Sequence, residues 1–513
     1  MSDAERGYAS LATAEPHHDW APKETHIERL SSHSSTAYSA DTHEDELPQH
    51  HSTLYQQYTA RQQVFWDRLR GKGRRVPGWG ESFKNIAFSS WLNVKFFIFP
   101  LAWTSHYLKW SDGTTYYLCF VALTPLVKMA EWTGEQMSLY LGKDLGDLVI
   151  ITLNNCVEAS LAIVLLTQCE LRLLHATIIG VVILHLLLIP GFTFLAEGSQ
   201  ILEQDLHPHH TQLNHSLLAV GVLAVLLPTA FFAALDRGVM TIDPTGIQQY
   251  SGTVVSDTTR DQLLRMSRGL SVVLLVVYVG SRIFLHNPPG EGNAVAVAQN
   301  APPKLKQEEH HLTIVEPKTN PWACLIVLFF TVGIICVTTQ FLVEANEYIR
   351  EQSSITEEWF GLIFLPLLSF SADGLLAIVY FLRMLVYHIM GWKELEPSRL
   401  AKARTIDLSI QFTLFWMPFL VLLGWWIDRP MHLLFDYYEL AILLGACFLV
   451  NYVTADAKTN WVEGLILLAF YVMIATSTWF YHGQPELEVM ASCPGSVAEA
   501  LLHGIDKPHG TAN

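Results

Sequence analysis

Glu158 lies inside an apolar run from Leu148 to Leu166, at the centre of Leu153-Asn154-Asn155-Cys156-Val157-Glu158-Ala159-Ser160-Leu161-Ala162-Ile163. Holding a charge in the middle of a membrane helix costs about 3 kcal/mol or more, so an acid kept there faces a bundle interior or an aqueous cavity. Glu158 is therefore the first candidate for binding an ion or a proton. A similar phrase returns far downstream, Leu368-Ser369-Phe370-Ser371-Ala372-Asp373-Gly374-Leu375-Leu376-Ala377-Ile378, with Asp373 at its centre and the same Leu-Ala-Ile ending. Two acid-bearing hydrophobic segments at matching places in two halves mark a repeat transporter whose ion site lies near the bilayer midplane.

The elements that must hold these acids are membrane helices. Half of the 513 residues are apolar and the mean hydropathy is positive, which fits a polytopic membrane protein rather than a soluble enzyme. The net charge of −16 argues against a nucleic-acid partner. Apolar segments fall at roughly 91–108, 115–140, 145–167, 172–196, 214–236, 267–286, 321–344, 357–387, 400–427, 432–453 and 461–482. Each is near the ~20 residues that span a bilayer, which predicts an all-α fold of about eleven transmembrane helices.

Orientation follows from the basic residues. Arg61, Arg68, Arg70, Lys72, Arg74 and Arg75 precede the first segment with only Asp67 among them, which predicts a cytosolic N-terminus and suits contact with anionic lipid as well. Alternation then places Arg383, Lys393, Arg399, Lys402 and Arg404 on the cytosolic side and residues after 483 on the opposite one.

The chain divides at 287–320, a Pro- and Gly-bearing linker. Residues 1–88 form a His/Ser-rich tail and basic juxtamembrane segment, 89–286 the first membrane half, 321–482 the second, and 483–513 a C-terminal tail. Setting the first segment aside leaves five on each side of the linker. An odd number per repeat forces the two repeats into opposite orientations.

The tail residues His17, His18, His26, His33, His43, His50 and His51 have no regular spacing; they read as a solvated, disordered stretch or, less simply, as a transition-metal tract. No secretory signal-peptide pattern opens the chain. The seven cysteines show no CxxC or Cys/His ladder, so neither a disulfide framework nor a zinc site is expected.

The order of segments resembles the calcium/proton exchangers (CAX) of the cation/calcium exchanger superfamily, above all the fungal vacuolar type. The residues that carry the resemblance run from Ser90-Trp91-Leu92-Asn93 and Leu108-Lys109-Trp110-Ser111-Asp112 through Ala122-Leu123-Thr124-Pro125-Leu126, Glu135, Gly142 and Gly146. They continue with Ser267-Arg268-Gly269, Phe341-Leu342-Val343, Gly361-Leu362-Ile363-Phe364-Leu365-Pro366, Ser409-Ile410-Gln411 and Asn460-Trp461-Val462-Glu463-Gly464.

The signature motifs depart from the pattern. Where the family has Gly-Asn-Ala-Val-Glu, this chain has Asn154-Asn155-Cys156-Val157-Glu158. Where it has Gly-Asn-Ala-Ala-Glu-His, this chain has Ser369-Phe370-Ser371-Ala372-Asp373-Gly374. The first-repeat Gly-Ser-x-x-Ser-Asn becomes Gly180-Val181-Val182-Ile183-Leu184-His185, and the second-repeat Gly-Ser-Ser-Ile-Gln becomes Asp407-Leu408-Ser409-Ile410-Gln411. Gly292-Asn293-Ala294-Val295 imitates the motif in the linker but has no acid.

The resemblance implies a lipid-embedded antiporter moving Ca²⁺ from the cytosol into an acidic endomembrane store in exchange for protons, with no resident cofactor. It is not an enzyme on this reading, and its oligomeric state stays open. Ca²⁺ takes six to eight oxygens, so Glu158 and Asp373 would bind it as metal ligands, and two protons could neutralise the same pair. Asn155, Thr152, Ser409 and Gln411 offer further oxygens, though each equally suits a hydrogen bond that packs helices.

Glu135 and Glu347 precede the two acid-bearing segments and match gate or proton-pathway acids of the family, or else are solvated helix ends. His175 and His185 could titrate, or simply be hydrogen-bonded in the packing. Asp407 either replaces missing oxygen ligands or pairs with Arg404. Two other readings stand beside antiport: a degenerate paralogue that keeps the scaffold without transporting, and an exchanger of altered cation selectivity.

Overall fold

The computed structural model describes residues 65 to 500, apart from 287–315, 347–354, most of 368–403 and several stretches of one to five residues. Asp373, Glu347, the histidine-rich tail and the linker up to residue 315 therefore lie outside the described residues.

The described chain is a helical bundle. After the amphipathic helix α1 (Trp79–Ala87) come α2 (Ile98–Tyr107), α3 (Asp112–Leu141), α4 (Lys143–Asn154) and α5 (Cys156–Gln168). Next, α6 (Leu171–Ile183) passes through a π-helical turn at Leu184–Leu188 into α7 (Ile189–Gly198), followed by α8 (Pro208–Ala234) and α9 (Asp257–His286). The second half opens with α10 (Pro321–Glu344) and α11 (Glu357–Trp359), which runs into a π turn at Phe360–Phe364. Then α12 (Arg404–Gln411) enters a π turn at Phe412–Trp416 before α13 (Met417–Trp426), α14 (Tyr437–Val453), α15 (Trp461–Thr478) and the short α16 (Pro485–Met490).

Six of these spans are long and apolar enough to cross a bilayer, or seven with the bent pair α4/α5, so the expected count of eleven is not established by length and composition. Two further features differ from an all-helix reading: small antiparallel pairs form at Gln204–Asp205 with Lys458–Thr459 and at Met240–Ile242 with Gln248–Tyr250.

Burial sorts the bundle into centre and periphery. Over an 18-residue stretch of the span Leu171–Leu195, 78% of residues are buried, against 28% over such stretches of Asp257–Phe284 and Trp461–Thr478, so α6/α7 is the central column and α9 and α15 lie outside it. The outer helices turn Val272, Val276, Ile283, Leu465 and Val472 outward, as lipid-facing helices must, because only apolar side chains are tolerated there.

Close approach at the centre needs glycine. A Cβ on Gly180 would overlap the Leu362 carbonyl, and one on Gly361 would lie 2.8 Å from Ala176 Cβ, so α6 and the Phe360–Phe364 turn meet backbone to backbone.

The expectation of no disulfide is overturned. Cys169, at the left-handed end of α5, is bonded to Cys493, with Cα atoms 6.1 Å apart. Around that bond the C-terminal segment is packed: Met490 and Val497 are fully buried beside Phe232, Leu263 and Leu434. The Val497 amide donates to Asp257 at 2.9 Å, and Arg260 donates to the Ser492 carbonyl.

Candidate ion-binding site

Asn155 is where the third apolar segment breaks. The segment was expected to run straight from 145 to 167, yet α4 and α5 meet there at a bend of 52°. Asn155 stands in the capping position of α5, but its side chain makes no cap; it reaches across to the other half of the molecule. Its Nδ2 donates to Gln411 Oε1 at 2.8 Å and to the Leu408 carbonyl at 3.3 Å. That carbonyl can only accept, which fixes the orientation of the amide.

Gln411 continues the network. Its Nε2 donates to Thr152 Oγ1 at 2.8 Å and to the Tyr278 hydroxyl at 3.2 Å, while Thr152 donates to the Leu148 carbonyl at 2.8 Å. Three residues singled out from sequence, Thr152, Asn155 and Gln411, thus form one polar cluster joining α4/α5 to α12. With Nδ2 engaged, Asn155 Oδ1 is left buried and without a hydrogen-bond partner, an arrangement suited to accepting a cation.

Glu158 sits one turn into α5, only 3% exposed, on the face three residues beyond Asn155. The helix N-terminus at this break carries partial positive charge, which favours a carboxylate there. Glu158 Oε1 lies 3.9 Å from His185 Nε2 in the π turn of the central column. His185 Nδ1 is 2.9 Å from the Val181 carbonyl, which can only accept, so Nδ1 carries a proton. π turns recur at functional positions, and besides this one at Leu184–Leu188 others fall at Phe360–Phe364 and Phe412–Trp416.

The remaining candidates separate. Ser409 is fully buried and donates to the Val182 carbonyl at 3.4 Å, a contact between helices. Glu135 is exposed on α3. Phe370, which stands at the family's Asn position, stacks with Phe192 at 6.3 Å and brings no oxygen. Asp407 lies near Tyr278, whose ring carries the Arg282 guanidinium at 5.0 Å. Among the described residues no three His, Cys, Asp or Glu side chains converge on one point.

A second polar cluster lies under the packed C-terminal segment. Arg172 donates to Glu358, to Glu488 at 2.8 Å and to the His482 carbonyl. Beside it is a cavity of about 30 Å³, room for about two waters, lined among others by His175, His432, Asp436 and Glu439. His175 contacts the carbonyls of Leu171 and His432 and stacks on the His432 ring at 5.1 Å. Burial, with His175 as a smaller contribution, pushes the His432 ring down to about 3. Of this cluster only His175 stands out in the sequence, because its acids, Glu358, Asp436, Glu439 and Glu488, come from three separated segments.

The sodium/calcium exchanger protein family matches residues 322–480. The chain is 30% identical over 387 residues to the "Ca(2+)/H(+) antiporter" of Synechocystis sp., covering 75% of this chain and 95% of that one. It belongs to the calcium/proton exchanger family. To a further member, the "Vacuolar calcium ion transporter" of Cryptococcus neoformans var. grubii, it is 28% identical over 489 residues, with 80% of this chain and 77% of that one covered. In fold, this exchanger is similar to native YfkE, with a TM-score of 0.54, 19% identity and coverage of 75% of this chain and 100% of that one.

Proposed function

We propose that the protein is a proton-coupled antiporter that moves Ca²⁺ from the cytosol into the acidic vacuole or a related store, by alternating access around Glu158 and Asp373. The observation that carries this reading is Glu158, buried at the break of a discontinuous helix beside a polar cluster drawn from both halves. Such a break exposes helix ends and freed backbone groups where an ion must shed its water. A carboxylate there can hold either a cation or a proton but not both, which couples the two fluxes. The names of the relatives, vacuolar calcium transporters and Ca²⁺/H⁺ antiporters, support the same cargo.

Orientation belongs to the same reading. The Cys169–Cys493 bond suits an oxidising, non-cytosolic face, and alternation from a cytosolic N-terminus puts both cysteines there. The deciding experiment is ⁴⁵Ca uptake into sealed vesicles driven by an inward-acid pH gradient. Uptake is expected in the unmodified protein and reduced to background in Glu158→Gln. Retained pH-driven uptake in that variant would overturn the assignment.

A further inference from the structure

We propose that α1 is an anchor for anionic phospholipid: its exposed aromatic face sits in the headgroup layer of the cytosolic leaflet, the basic residues around it bind lipid phosphates, and the charge of that leaflet thereby controls transport. The cytosolic side and the effect on uptake rest on the reading above; the attraction to anionic lipid does not.

The two sides of α1 differ in character. Ser82 and Ile86 are buried against the bundle, while Trp79 and Phe83, four residues apart and so on one side of the helix, are exposed and stack with ring centroids 6.3 Å apart. Phe88, just past the helix, is 82% exposed. An aromatic face of this kind suits the boundary between headgroups and acyl chains. The position suits it too, since the chain leads from α1 through a 3₁₀ stretch, Trp91–Phe97, into α2, turning Phe97 and Leu101 outward on the way.

Charge selects the lipid. Over residues 67–84, Arg68, Arg70, Lys72, Arg74, Arg75 and Lys84 stand against Asp67 and Glu81. Lys72 contacts Asp67 at 3.2 Å and Arg75 lies 3.9 Å from Glu81, yet both basic side chains keep 74% exposure and remain open to a phosphate. Arg70 and Lys84 are exposed as well. An excess of positive charge beside exposed aromatic rings, directly ahead of a membrane segment, is complementary to an anionic leaflet.

What α1 holds is a separately packed unit. An apolar cluster joins Ala102 of α2, Tyr116 and Leu123 of α3, and Ile335 and Leu342 of α10, distinct from the main core around α6. α1 is tied to this unit just ahead of α10: Ser82 Oγ accepts from the Asn320 amide, Asn85 donates to the Lys318 carbonyl, and the Lys318 amide donates to Gln136 of α3 at 2.9 Å. The same cluster takes in Val157, the neighbour of Glu158, and Cys336 of α10 lies 3.3 Å from Ser160. Fixing α1 in the leaflet therefore sets the height of α3 and α10 beside the acid-bearing α5.

The test compares purified full-length protein in vesicles of phosphatidylcholine alone and of phosphatidylcholine with phosphatidylserine. Phosphatidylserine is expected to raise pH-driven ⁴⁵Ca uptake about threefold or more, less so at high salt. In detergent it should raise the melting temperature more than phosphatidylcholine does. The combined variant Arg70→Gln, Lys72→Gln, Arg75→Gln and Lys84→Gln should lose both responses while melting as the unmodified protein does in phosphatidylcholine, and Trp79→Ser with Phe83→Ser should weaken both. Indifference of the unmodified protein to phosphatidylserine, or undiminished responses in the variants, overturns the proposal. So does a dimer in detergent that Trp79→Ser with Phe83→Ser converts to a monomer, since a second copy would then cover the face. Absence of uptake in every lipid overturns the transport reading instead, while the melting temperature still reports on lipid binding.

Discussion

At the scale of single residues, two side chains make opposite demands on pH. On the proposed antiport Glu158 loses and regains a proton in each cycle, so its amide variant is expected to bring uptake to background, as the vesicle assay reads. His432 is held neutral by its burial. Its ring is buried and stacked on His175. The folded value of about 3 lies below the ordinary 6.5, so the unfolded chain takes up the proton first as pH falls. The stability linked to this ring is present in full above about pH 6.5 and is lost progressively toward pH 3. His432→Phe removes the titrating group while keeping a ring to stack on His175. The variant's melting temperature in detergent is expected to fall less between pH 7 and 4 than that of the unmodified protein. Parallel decline in the two would show that His432 does not carry the effect.

At the scale of elements, the central column decides how closely the two halves approach. Gly180 lets α6 touch the carbonyl side of the Phe360–Phe364 turn, and any larger side chain must push the two apart. Gly180→Leu is expected to cost about 1–3 kcal/mol or to block assembly, because overpacking a tight helix contact displaces backbone. A thermal shift in detergent measures the first outcome and size-exclusion the second. The C-terminal segment is a separate element held by one covalent bond across 324 residues. Closing so long a loop restricts the unfolded chain, and Cys493→Ser is expected to lose about 2–4 kcal/mol. The same loss should follow treatment of the unmodified protein with a thiol reductant, and reductant should do nothing further to the variant.

At the scale of the whole molecule, two faces are distinguished by what gathers on them. One holds α1 against the end of the linker: Asn320 N donates to Ser82 Oγ at 2.8 Å, Asn85 to the Lys318 carbonyl at 2.7 Å, and Tyr140 to the Thr319 carbonyl. The other holds the disulfide, the cavity and the packed C-terminal segment. A single introduced cysteine in the basic segment before α1 should react with a membrane-impermeant maleimide in intact, cytosol-side-out vacuoles. A tag after residue 497 should stay protected until detergent is added. The reverse pattern would invert the proposed orientation.

The sequence by itself determined the class of protein and marked the apolar runs and the two acid-bearing phrases. These depend on hydrophobic run length and on the cost of burying charge, which are properties of a segment and its immediate neighbours. It also marked Thr152, Asn155 and Gln411 as polar residues near a common centre. Only the tertiary structure decided that Asn155, at the break of its helix, reaches Gln411 some 256 residues away, or that His185 comes to lie beside Glu158. The same holds for the bond from Cys169 to a tail cysteine, although both already fell on one predicted face. Such contacts are fixed by how helices cross and by which backbone groups a bend leaves open. No window of sequence contains both partners, so their pairing becomes visible only once the bundle is assembled.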